Sequence, residues 1–128
     1  MSDRQIGLNV VLGQPIASVG VNGVGYLSIP QNSQNAGYTC VLGDAGYHIY
    51  MATAGTFTIP SNASVAYPIG TVIAFVNLSA SSSIAITSDT MYLMGSGSTG
   101  TRTLAQYGCA TALKTGTTTW IISGTGLT

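Results

Sequence analysis

Short runs of β-branched and aromatic residues, each soon broken by Gly, Asn, Ser or Pro, fill this chain from end to end. Thr, Val, Ile and Tyr suit a pleated, half-buried surface. No segment of about a dozen residues keeps an apolar 3.6-residue period in helix formers. The candidate strands are Gly7–Leu12, Ile16–Val21, Gly25–Ile29, Tyr38–Leu42, His48–Ala52, Thr56–Ile59, Thr71–Asn77, Ser83–Thr87, Met91–Met94, Thr101–Ala105, Ala110–Lys114 and Thr119–Ser123. Turn-forming strings separate them, among them Asn22-Gly23, Gly43-Asp44-Ala45-Gly46, Pro60-Ser61-Asn62 and the Gly95–Gly100 run. Strands at spacings of about 8–12 residues with such turns predict an all-β fold, an antiparallel sandwich or barrel-like domain. No tandem repeat of constant period is visible, which argues against a β-helix or a propeller.

Charge is the second constraint. The 128 residues carry three Lys or Arg and three Asp, with no Glu, so 5% of the chain is charged against about 25% in an average soluble domain. Three cations and zero net charge do not make a phosphate-neutralising surface, so nucleic acid is excluded as a partner. Disordered chains are charge-rich and apolar-poor, the reverse of this one. No apolar run approaches the ~18–20 residues that span a bilayer, so no membrane partner is expected. Met1-Ser2-Asp3-Arg4-Gln5 is a poor start for a secretory signal. So few titratable groups leave little for acid–base chemistry, and the chain is expected not to be an enzyme and to need no cofactor.

The candidate chemical groups point the same way. Asp44 and His48 with any of fourteen serines lack the strained Gly-x-Ser-x-Gly turn of an activated nucleophile. Asp3, Asp44 and Asp89 show no pairing that suits glycoside hydrolysis. The Gly95–Gly100 run lacks the Lys-Ser/Thr of a phosphate cradle and reads as a loop. One His and two separated Cys are too few for a tetrahedral zinc site. Cys40 and Cys109 both occupy strand-like apolar segments and read as two buried thiols rather than a bridge. Arg102 and Lys114 are the basic groups of the body and candidates for ion pairs with Asp44 and Asp89 across protomers. Asn62-Ala63-Ser64 and Asn77-Leu78-Ser79 match a glycosylation triplet but read as turn chemistry. Among seven tyrosines, Tyr47 and Tyr50 beside His48 are the surface candidates for a glycan or protein contact.

Two regions differ in character. Residues 5–43 hold no charged side chain, and the polar run Pro30–Gly37 reads as a linker between residues 1–30, an extended N-terminal arm or set of edge strands, and a β domain over 31–128. In the arm, Ile6, Leu8, Val10 and Leu12 alternate with Gly7, Asn9, Val11 and Gly13. That period-2 face suits addition to an exposed sheet edge, and makes these four residues the candidate contacts to a partner surface or a further subunit.

From Gln31 to Thr128 the chain resembles a β-rich module of predicted bacteriophage virion proteins, where it often ends longer fibre-like chains. The resemblance is carried by Tyr38–Gly46, Phe57–Thr71, Ile84–Thr90, Gly100–Gly108 and Trp120–Thr128, in that order. It implies a virion structural role. With only about thirty residues ahead of the module, and neither shaft nor baseplate-attachment region, the expected role is a capsid decoration (cement) protein. It would bridge capsomers on the head exterior, bind the major capsid protein and self-associate as a homotrimer, after synthesis in the host cytoplasm. The alternative is a tail-fibre tip or receptor-binding module that contacts a host surface glycan or protein. A surface this poor in charge leaves apolar area exposed, which usually marks interaction sites.

Overall fold

The computed structural model describes residues 28–128, and these form an all-β body with one turn of 3-10 helix. Its strands are β1 (Gln31–Gln34), β2 (Tyr38–Thr39), β3 (His48–Met51), β4 (Thr56–Ile59), β5 (Val72–Asn77), β6 (Ser82–Ile86), β7 (Thr90–Leu93), β8 (Arg102–Gly116) and β9 (Thr119–Leu127). All nine join one sheet, ordered β1-β3-β5-β8-β6-β4-β2, with β9 beside β8 and β7 beside β9. The sheet curls into a nearly closed, barrel-like shell.

The strand directions correct the antiparallel expectation. β1 runs parallel to β3 and β3 to β5; β2 runs parallel to β4 and β4 to β6; β7 runs parallel to β9. Only the pairs that include β8 are antiparallel, with β5, β6 and β9. The reason is the route of the chain. Consecutive strands go to opposite wings of the sheet, so each strand meets the one two places on, after the chain has circled and regained its direction.

Residues 31–86 therefore follow the coil path of a parallel β-helix, in three short turns, which also corrects the argument from missing repeats. Gln31 lies beside His48, and His48 beside Ala74, so the first step is 17 residues and the second 26. On the other wing Tyr38 lies beside Phe57, and Phe57 beside Ile84, with steps of 19 and 27. Unequal loops destroy the period without altering the winding. The run Pro30–Gly37, read as a linker, instead contributes β1, because main-chain pairing to β3 is indifferent to its polar side chains.

Alternation sorts the side chains. Ile49 and Met51 from β3, Ile73 and Phe75 from β5, Phe57 and Ile59 from β4, and Ile84 from β6 all point inward. They form one core with Met91, Leu104, Ala110, Ala112, Trp120 and Ile122. Sizes complement across the register: Phe75 faces Ala110, and Ala110 faces Gly124. A Cβ on Gly124 would run into the Cys109 carbonyl and the Ala110 Cα, so only glycine admits this close strand approach. Tyr67, from the loop after β4, covers Trp120 edge-on at 5.7 Å between ring centres and 87° between planes.

β8 is one long strand where the sequence suggests two, Thr101–Ala105 and Ala110–Lys114. The break between them is real as a bulge. Against β9 the register passes from Thr125↔Cys109 to Leu127↔Leu104, which leaves the segment around Tyr107 unpaired. There β8 leaves β6 and takes up β5. Tyr38–Leu42, expected to be one strand, stops at Thr39 because Asp44 Oδ2 accepts the Val41 N–H and turns the chain into the 3-10 helix at Leu42–Asp44.

Candidate functional site

Four charged side chains lie in the described body, and each is committed to holding backbone or neighbouring polar groups within the chain. Asp44 is buried. Its carboxylate accepts from Asn32 Nδ2 at 2.8 Å, the Tyr38 hydroxyl at 2.7 Å and the Val41 N–H at 2.8 Å. Asp89 Oδ2 accepts the Asn62 N–H at 2.7 Å. Arg102 donates to the carbonyls of Thr99 and Thr101 and so closes the Gly95–Gly100 loop onto β8. Lys114 is buried and donates to Asn62 Oδ1 and the Tyr67 carbonyl. Within the chain no two of these four groups pair with each other; their bonds run to neutral partners.

The same geometry separates Asp44 from His48. A His48 ring nitrogen faces Gln31 Nε2 at 3.1 Å on the outer surface, while Asp44 points inward. Burial, then the charge of Asp44, pushes the Cys40 thiol up to about 12. It stays protonated at neutral pH and is a poor nucleophile. Burial, then the hydrogen bond to Asp44, raises Tyr38 to about 12, and burial first of all raises Tyr67 as well. Among the described residues no three His, Cys, Asp or Glu side chains cluster as metal ligands. Cys40 is buried as expected, and both cysteines are free thiols, but Cys109 is exposed on the outer side of β8. Its inward neighbours Gly108 and Ala110 take the buried positions of the alternation.

What the fold does assemble is an uncharged outer face across β1, β3, β5, β8, β9 and β7. One lateral row runs Val72–Leu113–Ile121–Tyr92 through three registers. Val72, Leu113 and Tyr92 are exposed. The next row is Gln31–His48–Ala74–Thr111–Ser123, and the third is Ser33–Tyr50–Val76–Cys109–Thr125. No Asp, Lys or Arg stands in any of the three.

Tyr107 projects beside this face from the β8 bulge. It is 76% exposed and holds φ at +64°, a left-handed conformation that is uncommon for a bulky residue. Asn77 pins the strand just ahead of it. This fully buried side chain donates from Nδ2 to the carbonyls of Leu104 at 2.9 Å, Ala105 at 3.2 Å and Ala80 at 2.9 Å. Gly108 allows the tight return, since a Cβ there would strike the Leu104 side chain and the Ala105 carbonyl. Sequence reasoning singled out Tyr47 and Tyr50, both half-buried, and missed Tyr107. The available signal was the gap Gln106–Cys109 between two candidate strands, with an aromatic residue beside its glycine. Ile6, Leu8, Val10 and Leu12 lie outside the described residues.

No protein-family model matches the chain, and no curated protein matches it in sequence. The feature the described residues offer is the face itself, uncharged, partly apolar and carried on paired strands.

Proposed function

We propose that this protein is a non-enzymatic structural component of a bacteriophage virion, a capsid decoration protein that sits on the head exterior and bridges capsomers. The observation that carries this reading is the uncharged outer face with its Val72–Leu113–Ile121–Tyr92 row. Contacts made by such a surface lose little to ionic screening, as a permanent assembly outside a cell requires. The commitment of Asp44, Asp89, Arg102 and Lys114 to internal bonds supports the absence of catalysis. The partners are the major capsid protein and further copies of the chain, as a homotrimer, with the residues 1–30 arm adding attachment. Quantitative gel staining of purified particles tests the assignment. Hundreds of copies per particle are expected; a handful confined to the tail would overturn it.

The second reading, a tail-fibre tip that contacts a host glycan or protein, is favoured by Tyr107 alone. An exposed aromatic ring on a strained, pinned bulge is the kind of feature found at contact sites. The low copy number that ends the first reading is the result this one requires.

A further inference from the structure

Lys114 is a buried amine whose setting the outer face does not explain. It ends the inward row of β8 and is 2% exposed. Its Nζ donates to two neutral oxygens, Asn62 Oδ1 at 2.7 Å and the Tyr67 carbonyl at 2.8 Å. Both acceptors belong to the loop between β4 and β5. The carboxylate of this network, Asp89, accepts from the Asn62 main chain at 2.7 Å and so anchors the turn that carries the amide. Bonds from Ser64 and Val65 N–H to the Ser61 carbonyl fix the same turn. An ammonium bonded only to neutral groups is costly to bury.

We propose that Lys114 and Asn62 condense to an intramolecular isopeptide bond. The free amine of Lys114 attacks Cγ of Asn62, a new Nζ–Cγ bond forms, and the Cγ–Nδ2 bond breaks. Of the two protons that the Lys114 ammonium gives up, one completes the departing Nδ2 as ammonia and the other converts that ammonia to ammonium, so charge and atoms balance. No oxidant or reductant takes part. With a C=O bond of ~1.23 Å, Cγ lies within roughly 4 Å of Nζ, close to the ~3–3.5 Å of a near-attack arrangement. The Tyr67 carbonyl holds the amine in place from a second direction. Lys114 is buried and Asn62 half-buried, and Ser61 and Tyr67 of the same loop are buried beside them in sequence. Condensation removes a buried charge and leaves a neutral amide. Its product ties the loop after β4 to the far end of the sheet across 52 residues of sequence.

Intact-mass measurement of the full chain tests this directly. The expected mass is below the sequence value by one ammonia, about 17 Da, and a proteolytic digest yields one branched peptide that contains both Asn62 and Lys114. Asn62→Ala and Lys114→Met each restore the mass calculated from their sequences. A wild-type mass equal to the sequence value after prolonged incubation at physiological temperature overturns the proposal. So does an ammonia loss that maps elsewhere, for example to a succinimide at Asn22-Gly23. Because the wild-type mass is the primary reading, a variant that fails to fold does not blunt the test.

Discussion

The wound part of the molecule, residues 31–86, and the antiparallel β8–β9 hairpin solve the same problem by different means. In the hairpin, main-chain bonds run from Gly116↔Thr119 to Cys109↔Thr125, broken by a bulge before Leu104↔Leu127, and little else is needed. In the wound part every strand must be followed by a crossing to the other wing, and the crossings leave backbone groups unpaired. Side chains take them up: Asp44 on Val41 N–H, Asp89 on Asn62 N–H, the Tyr67 hydroxyl on the Val41 carbonyl, Asn77 on the Ala80 carbonyl. One scarce charge, Asp44, is drawn inside at such a crossing.

The largest break in this contrast is expected from the wound part. Asp44→Ala leaves Asn32, Tyr38 and the Val41 N–H without their acceptor. A loss of about 3–5 kcal/mol is expected from urea unfolding, since each buried group left unpaired costs about 1–3 kcal/mol. The same corner sets the alkaline limit. Tyr38 and Cys40 are pushed up to about 12 in the fold, from ordinary values of 10.0 and 9.0 that return on unfolding. Their contribution is full below those lower values and is lost as pH rises from about 9 towards about 12. Melting temperature followed across that window should fall while phenolate absorbance grows in step with unfolding. A flat profile would contradict the burial of this corner.

In the hairpin the sensitive point is backbone spacing. Gly124→Ala drives a Cβ into the Cys109–Ala110 backbone, and a loss of about 1–3 kcal/mol is expected, as for other overpacked sites. The equilibrium midpoint in urea measures it. An unchanged midpoint would mean that β8 and β9 separate more easily than their register suggests.

Tyr107→Gly should act in the opposite direction. It relieves a left-handed conformation that costs about 1–2 kcal/mol for a residue with a Cβ, less the greater unfolded entropy of glycine, for a net gain of up to about 1 kcal/mol. A gain in stability with loss of attachment to particles or host surface marks the bulge as a contact. A loss of stability marks it as packing.

The smallest effect on the fold is expected at the outer face. Leu113→Thr should change stability by less than about 1 kcal/mol, because Leu113 is already exposed. Self-association, followed by sedimentation at low and high salt, should weaken. Equal association in the variant and the parent would remove the Val72–Leu113–Ile121–Tyr92 row from the interface.

Much of this architecture is legible locally. Thr56–Ile59 is recovered residue for residue, and Thr71–Asn77, Ser83–Thr87 and Met91–Met94 nearly so, because alternation and punctuation are properties of neighbouring residues. The scarcity of charge is likewise a property of the chain as written. Strand direction is not. Whether a strand pairs with its neighbour or with the one two places on depends on where the intervening loop delivers the chain, and coil steps of 17 and 26 residues leave no period to read. The candidate face has the same status. Val72, Tyr92, Leu113 and Ile121 are unremarkable in four separate segments, and become a row only when β8 sets the register of β5 and β9 and β9 sets that of β7. The contact between Lys114 and Asn62 comes from the same source. Composition determines what this surface lacks. Tertiary structure decides what meets on it and beneath it, because long-range register brings together residues whose separation in sequence carries no local signal.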